Sequence, residues 1–203
     1  VKGSKYVGGL VGNGANFIIE DSYATGAVSS INGVSSLGIG GLVGRISTSY
    51  SGTSKILRSY STSTVDAVTL GTNGQNIGGL VGEASTDSNA NSTVNTLTIE
   101  RSYATGNVSG RDGVGGLIGH TANATISNSF ATGNATVTGG SDRRAGGLVG
   151  TSYSGTISNS YSTGTATAGS AAGGLIGYSD KLTGYDYAGT SVNNSFWDTV
   201  TSG

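Results

Sequence analysis

From Gly115 to Gly133 the chain reads GGLIGHTANATISNSFATG. Two units stand in it, a Gly-Gly-Leu-(Val/Ile)-Gly pentad and an aliphatic-x-x-Ser-aromatic run that closes on Ala/Ser-Thr-Gly. The pair recurs six times along the chain, its first glycines at Gly8, Gly40, Gly78, Gly115, Gly146 and Gly173. The aromatics are Tyr23, Tyr60, Tyr103, Phe130, Tyr161 and Phe196, each preceded by a serine: Ser22, Ser59, Ser102, Ser129, Ser160 and Ser195. Four residues before the aromatic stand Ile19, Ile56, Ile99, Ile126, Ile157 and Val192. Five residues after it come Val28, Val65, Val108, Ala135 and Ala166.

Spacing shows where length varies. Successive first glycines lie 32, 38, 37, 31 and 27 residues apart. From the motif leucine to the aromatic the distance is 13 residues in copies one, four and five, and 18, 23 and 21 in copies two, three and six. The extra residues read as polar loops over Arg45–Lys55, Glu83–Asn95 and Tyr178–Ser191.

A short unit rich in β-branched residues, threonine and glycine, with no helical period, reads as strands. One unit cannot bury a core alone, but stacked units can. The expectation is an all-β parallel β-solenoid (β-helix) of about six coils, one domain over 1–203. General crossover preference makes the coil right-handed. The absence of proline fits strands that must all donate ladder hydrogen bonds.

Composition excludes several alternatives. The chain has 203 residues, with 38 glycines and, by count along the sequence, 31 serines and 26 threonines. Such polar, low-complexity chains are often disordered, but the net charge is only −1 and the apolar residues recur in step. Collagen is excluded by the lack of proline and of a three-residue glycine period. Ten scattered Lys and Arg make no basic stripe, so nucleic acid is not an expected partner. No apolar run approaches the roughly 20 residues of a membrane helix, and no membrane insertion by this segment is expected. With no cysteine there is neither disulfide nor thiolate metal site. Val1 in place of an initiator Met, without a signal-peptide pattern, reads as a mature or excised segment.

Gly-Gly-Leu-(Val/Ile)-Gly followed by Ile-x-x-Ser-Tyr-Ala-Thr-Gly resembles the GLUG repeat, and the resemblance runs over residues 7–199. It implies a bacterial cell-surface or secreted protein, such as an adhesin or the non-catalytic region of an immunoglobulin A-cleaving metallopeptidase. The last copy departs from the pattern with Phe196-Trp197-Asp198-Thr199. That departure resembles the closing copy of an array, with 192–203 as a divergent cap and Trp197 covering the final coil.

In a stacked array, equivalent residues lie roughly 4.8 Å apart. Leu10, Leu42, Leu80, Leu117, Leu148 and Leu175 form one expected core ladder. Leu and the following Val or Ile point opposite ways on a regular strand. Either that strand is covered on both faces or a glycine bulge breaks the alternation. The aromatic ladder Tyr23, Tyr60, Tyr103, Phe130, Tyr161, Phe196 has two readings. Strict alternation turns small residues inward and the aromatics out as a stripe; an aromatic kept in all six copies, twice without the hydroxyl, favours the core. Asp21 should sit over Arg58 as an exposed pair, and Asn128, Asn159 and Asn194 over one another as an amide ladder or a solvated face.

Chemistry-bearing patterns are sparse. His120 is the single histidine and has no serine–acid set in view. No His-Glu-x-x-His occurs, nor a Gly-Gly-x-Gly-x-Asp calcium repeat. Glu20 and Asp21 are adjacent but point opposite ways, which does not suit paired-carboxylate hydrolysis. Asn91, Asn107, Asn123, Asn134 and Asn193 begin N-x-(Ser/Thr) triplets that this composition produces by chance. No cofactor is expected; a loop-bound calcium at Asp142, Asp180 or Asp186 is the one metal site to consider.

The insertions carry the better candidates. Tyr50, Tyr153, Tyr178, Tyr185 and Tyr187 fall between the two units, outside the ladders, where tyrosines stack on sugars or pack on a partner. The reading is a non-enzymatic extracellular structural or adhesive module of a bacterial surface protein. Its partners would be a cell-surface glycan or protein receptor, or copies of itself end to end in a filament. Alternatives are an ice-binding solenoid, on the column Thr25, Thr62, Thr105, Thr132, Thr163, or the non-catalytic region of a larger secreted peptidase or polysaccharide-active enzyme.

Overall fold

The computed structural model describes residues 1–31, 37–49, 52–68, 74–86, 96–139, 143–181 and 188–198. Among them all regular structure is β, and every strand pair is parallel. The fourth coil shows the path. Val108–Gly110 belongs to sheet A, Asp112–Gly115 to sheet B, Ile118–Ser127 to sheet C and Phe130–Ala131 to sheet D. Each of the six coils repeats this order and contributes to all four sheets. The molecule is a parallel β-solenoid.

Register follows the sequence repeat. Gly40 pairs with Gly8 and Gly78, and Tyr60 with Tyr23 and Tyr103, so equivalent motif positions stack directly. Sheet C tells where insertions go. In coils four and five its strand is unbroken, Ile118–Ser127 and Val149–Ser158. In coils two, three and six it is split, as Val43–Thr48 and Thr53–Leu57, Val81–Thr86 and Thr96–Glu100, Ile176–Asp180 and Ser191–Asn193. The insertions therefore leave from the middle of one strand and are shorter than the spacing suggested. Arg45, Lys55, Glu83, Tyr178 and Ser191 are strand residues, because both halves of each split strand keep in-register partners in the neighbouring coils.

The pentad makes the turn from sheet B to sheet C, and it folds back on itself. In coil three the tip glycine, Gly79, has no room for a side chain: a Cβ there would strike Gly116 O and come within 2.8 Å of Ala104 Cβ in sheet D. Behind the tip, Gly82 of sheet C rests on the backbone of Gly38 and Ile39 in sheet B of the coil before. Sheets B and C thus lie back to back with only glycine between them, and the tip reaches across to sheet D.

This inward fold divides the core in two. One cluster joins sheets C and D: Leu42, Leu80, Leu117 and Leu148 with Ile56, Ile99, Ile126 and Ile157. The other joins sheets A and B: Val28, Val65, Val108 and Ala135 with Ile39, Ile77, Val114 and Ala145. The bulge alternative holds at the pentad. Leu42 and Val43 are both fully buried in the first cluster. Leu80 O accepts from the N–H of both, at 2.9 and 3.0 Å, and Leu117, Leu148 and Leu175 carbonyls serve the next coils in the same way. One carbonyl for two donors slips the alternation by a residue, which is why two successive apolar side chains enter one core. Leu175 is partly buried. Leu10 departs from the expected ladder at 52% exposed, since it stacks against Leu42 on one side only.

The corner from sheet C to sheet D explains the second unit. Asp21, Arg58, Arg101, Asn128, Asn159 and Asn194 all adopt left-handed backbone, φ 47–52°. Asn and Asp tolerate that conformation better than other non-glycine residues. The following serine then repairs the ladder. Ser102 Oγ accepts from Ser59 N–H at 3.2 Å and donates to Glu100 O at 2.9 Å. Ser59, Ser129 and Ser160 do the same in their coils, and all four are buried. Arg58 grips Asp21 through Nε (2.7 Å) and Nη2 (2.9 Å), as the stacking required. Of the expected amide ladder, Asn194 Nδ2 donates to Asn159 Oδ1 at 3.4 Å.

Candidate functional site

Two sets of side chains stand outside the core in an ordered way. The first is the aromatic column, whose core reading the structure corrects. Ser59, Ser61, Ser102, Ala104, Ser129 and Ala131 face inward, so the residues between them, Tyr60, Tyr103 and Phe130, face out. The physical reason is the pentad tip. The space it leaves beside sheet D takes a Cβ or a hydroxymethyl group, not a ring. The six rings stack on one another instead. Centroids are 5.1, 4.9, 4.8, 5.0 and 5.5 Å apart from Tyr23 to Phe196, with planes within 7° of parallel. Interior rings are half-buried by their neighbours; Tyr23 and Phe196 are 59% and 61% exposed. Trp197 pairs in register with the inward Ser162, and its indole lies against Gly174 with 47% exposed.

The second set lies along the seam where the outer faces of sheets B and C diverge. The residue after the pentad places Asn13, Arg45, Glu83, His120, Thr151 and Tyr178 in one column of sheet C. Arg45 Nε bonds Glu83 Oε1 at 3.1 Å, and Asn76 Nδ2 reaches Glu83 Oε2 at 3.2 Å from sheet B. The Arg45 guanidinium lies 5.3 Å from the Tyr6 ring. Further along, Arg144 holds Asp112 by two parallel bonds, Nε to Oδ1 at 3.0 Å and Nη2 to Oδ2. Tyr178 covers that guanidinium at 5.4 Å. Tyr153 meets Tyr178 edge-on at 6.1 Å and the His120 ring at 5.6 Å.

Electrostatics follow from this packing. Burial holds the His120 imidazole below its ordinary range; the Glu83 carboxylate pulls it back up, Arg144 pushes it down and Asp112 pulls it up. The Asp112 bond keeps Arg144 firmly protonated. Tyr178 donates its hydroxyl to Asp180 Oδ2 at 3.0 Å, and that bond raises its pKa. A patch with two ring edges, a fixed guanidinium and two carboxylates suits a polyhydroxylated ligand or a protein side chain, through stacking and directional hydrogen bonds.

Of the tyrosines expected as contacts, Tyr153 and Tyr178 come together here. Both are in sheet C strands: Tyr153 in the unbroken strand of coil five, which has no insertion, and Tyr178 in a strand that runs on where the spacing suggested a loop. Tyr50, Tyr185 and Tyr187 lie outside the described residues. For the calcium reading, Asp180 has both oxygens engaged, by the Tyr178 hydroxyl and by Lys181 N–H at 2.7 Å. Asp142 and Asp186 lie outside the described residues, and among the described ones no three His, Asp or Glu gather around a metal-sized site. The Arg45–Glu83 and Asp112–Arg144 pairs escaped the sequence reading. Aligning the residues that flank the pentad as columns would have found Arg45 beside Glu83.

No curated protein and no solved structure matches the chain. A family model described as the GLUG motif matches residues 3–29, 110–138 and 141–167. These are coils one, four and five, the copies in which no insertion separates the two units. Three of the six stacked copies thus carry the GLUG motif.

Proposed function

We propose that the chain is a non-enzymatic structural and adhesive module of a bacterial surface or secreted protein. In this reading the solenoid is a stiff shaft, and the seam around Tyr153 and Tyr178 contacts a glycan or protein receptor. One observation carries it: the side chains that recur in all six copies are engaged in holding coil to coil, as the serine bonds and the ring stack are. Recognition then falls to residues that do not recur, and at the seam these are tyrosines, Arg144, Asp112 and His120. Tyr and Arg are the residues most enriched where proteins bind tightly.

The test is a glycan array together with binding to intact cells, run on the chain and on Tyr178→Ala. Loss of binding in the variant, with thermal stability kept, supports the seam as the contact. Binding that survives the change removes the seam from the proposal, and no binding to any array or cell surface removes the adhesive role. End-to-end association into filaments belongs to the same reading and is checked by electron microscopy; monomers alone would end it. An ice-binding role ranks second. The threonine column faces outward, but the next outward column mixes Ala27, Thr64, Asn107, Asn134 and Thr165. Absence of thermal hysteresis would close that reading.

A further inference from the structure

The ring column has a chemical asymmetry. Its first three members carry phenols, Tyr23, Tyr60 and Tyr103, and each lies directly on the next, at 5.1 and 4.9 Å with planes 7° and 1° apart. Their Cα atoms are direct register partners in adjacent coils. Beyond them the phenols stop being neighbours. Phe130 follows Tyr103, and Tyr161 is held between Phe130 and Phe196. All the rings line the outer face of sheet D, with Tyr23 exposed and Tyr60 and Tyr103 half-buried between their neighbours.

We propose that Tyr23, Tyr60 and Tyr103 form an oxidative cross-linking site in which a peroxide-driven haem peroxidase joins adjacent coils through dityrosine. The oxidant removes one electron and one proton from each of two neighbouring phenols. The two radicals couple through the carbons ortho to their hydroxyls, forming one C–C bond. Each of those carbons then gives its hydrogen to the phenoxyl oxygen, so both phenols are restored. The net change is the loss of two hydrogens, and one hydrogen peroxide becomes two waters. The stack brings the partners together before oxidation, so coupling within a chain outruns encounters between chains. Tyr60 has two ortho carbons and a tyrosine on either side, which lets it bond to both neighbours. The product is a covalent staple across the first three coils, in a fold without cysteine to supply one.

The experiment treats the dilute chain with hydrogen peroxide and a haem peroxidase, free tyrosine serving as the positive control. Dityrosine fluorescence, intact mass and peptide mapping are read on the monomer fraction. The expected result is a monomer lighter by two hydrogens per bond, linked Tyr23–Tyr60 or Tyr60–Tyr103, with Tyr161 unlinked. Tyr60→Phe keeps a ring in the stack, as Phe130 does naturally, and should lose the fluorescence while keeping its thermal stability. The proposal is overturned if no dityrosine forms while free tyrosine couples, or if it forms only between chains. It is equally overturned if the bond maps to another pair such as Tyr153–Tyr178, or if Tyr60→Phe leaves the yield unchanged.

Discussion

Ser102 shows how much a single hydroxyl does in this fold. It takes the N–H of Ser59 from one coil and gives its own proton to Glu100 O, at a corner where left-handed backbone interrupts the ladder. Ser102→Ala leaves a buried donor and acceptor unpaired, and should lower stability by about 1–3 kcal/mol in urea unfolding. A loss within measurement error would mean the ladder is repaired some other way. Arg101 illustrates the opposite case, a side chain ill suited to its place. At φ 50° it bears the strain of a left-handed residue without asparagine's local hydrogen bonding. Arg101→Asn is therefore expected to raise stability by about 0.5 kcal/mol, within the range of backbone-compatible substitutions. The sequence showed that a serine recurs six times. It could not show why, because the need arises from a backbone conformation that asparagine, aspartate and arginine all adopt here.

At the scale of elements, the pentad governs the outcome. Its recurrence was enough to predict stacked parallel strands, and both fold class and register follow from it. What stayed hidden was the inward fold, since glycine signals close approach without naming the partner. That partner decides the direction of the aromatics: with the tip against sheet D, only small residues fit inside, and the rings turn out. Gly116→Ala tests this. A Cβ there would meet Gly147 O and stand 2.9 Å from Ala131 Cβ, so overpacking should cost about 1–3 kcal/mol. Gly26 offers the contrast, with nothing within 4 Å of its Cβ position. Gly26→Ala should be neutral or stabilising by up to about 1 kcal/mol, by restricting the unfolded chain. Equal losses at both positions, by thermal unfolding, would deny the tip its role. The site was less legible than the fold for the same kind of reason. Tyr153 and Tyr178 were visible as non-repeating tyrosines, whereas Arg144 and Asp112 reach them from a different sheet.

Over the whole molecule, stability and surface chemistry meet at His120. Burial lowers its pKa in the folded state beneath the ordinary 6.5. As pH falls through that value the unfolded chain takes up the proton first, so stability is full above it and declines below it, until the folded imidazole also titrates. His120→Gln should flatten this part of the stability–pH curve, as read by urea midpoints across the range; an unchanged slope would assign the decline to other groups.

Six copies stack one above another in register, with the second unit's alternate residues facing out. Thr62 and Thr105 stand outward in adjacent coils, 43 positions apart in the chain, and Thr132 lies one coil further. In-register neighbours are roughly 4.8 Å apart, inside the span a disulfide accepts, and residues two coils apart lie beyond its limit of about 7 Å. The double variant Thr62→Cys/Thr105→Cys should close an intramolecular disulfide in dilute solution under mild oxidation, and Thr62→Cys/Thr132→Cys should not. A first pair that stays reduced, or a second that closes equally well, would contradict the stacked register.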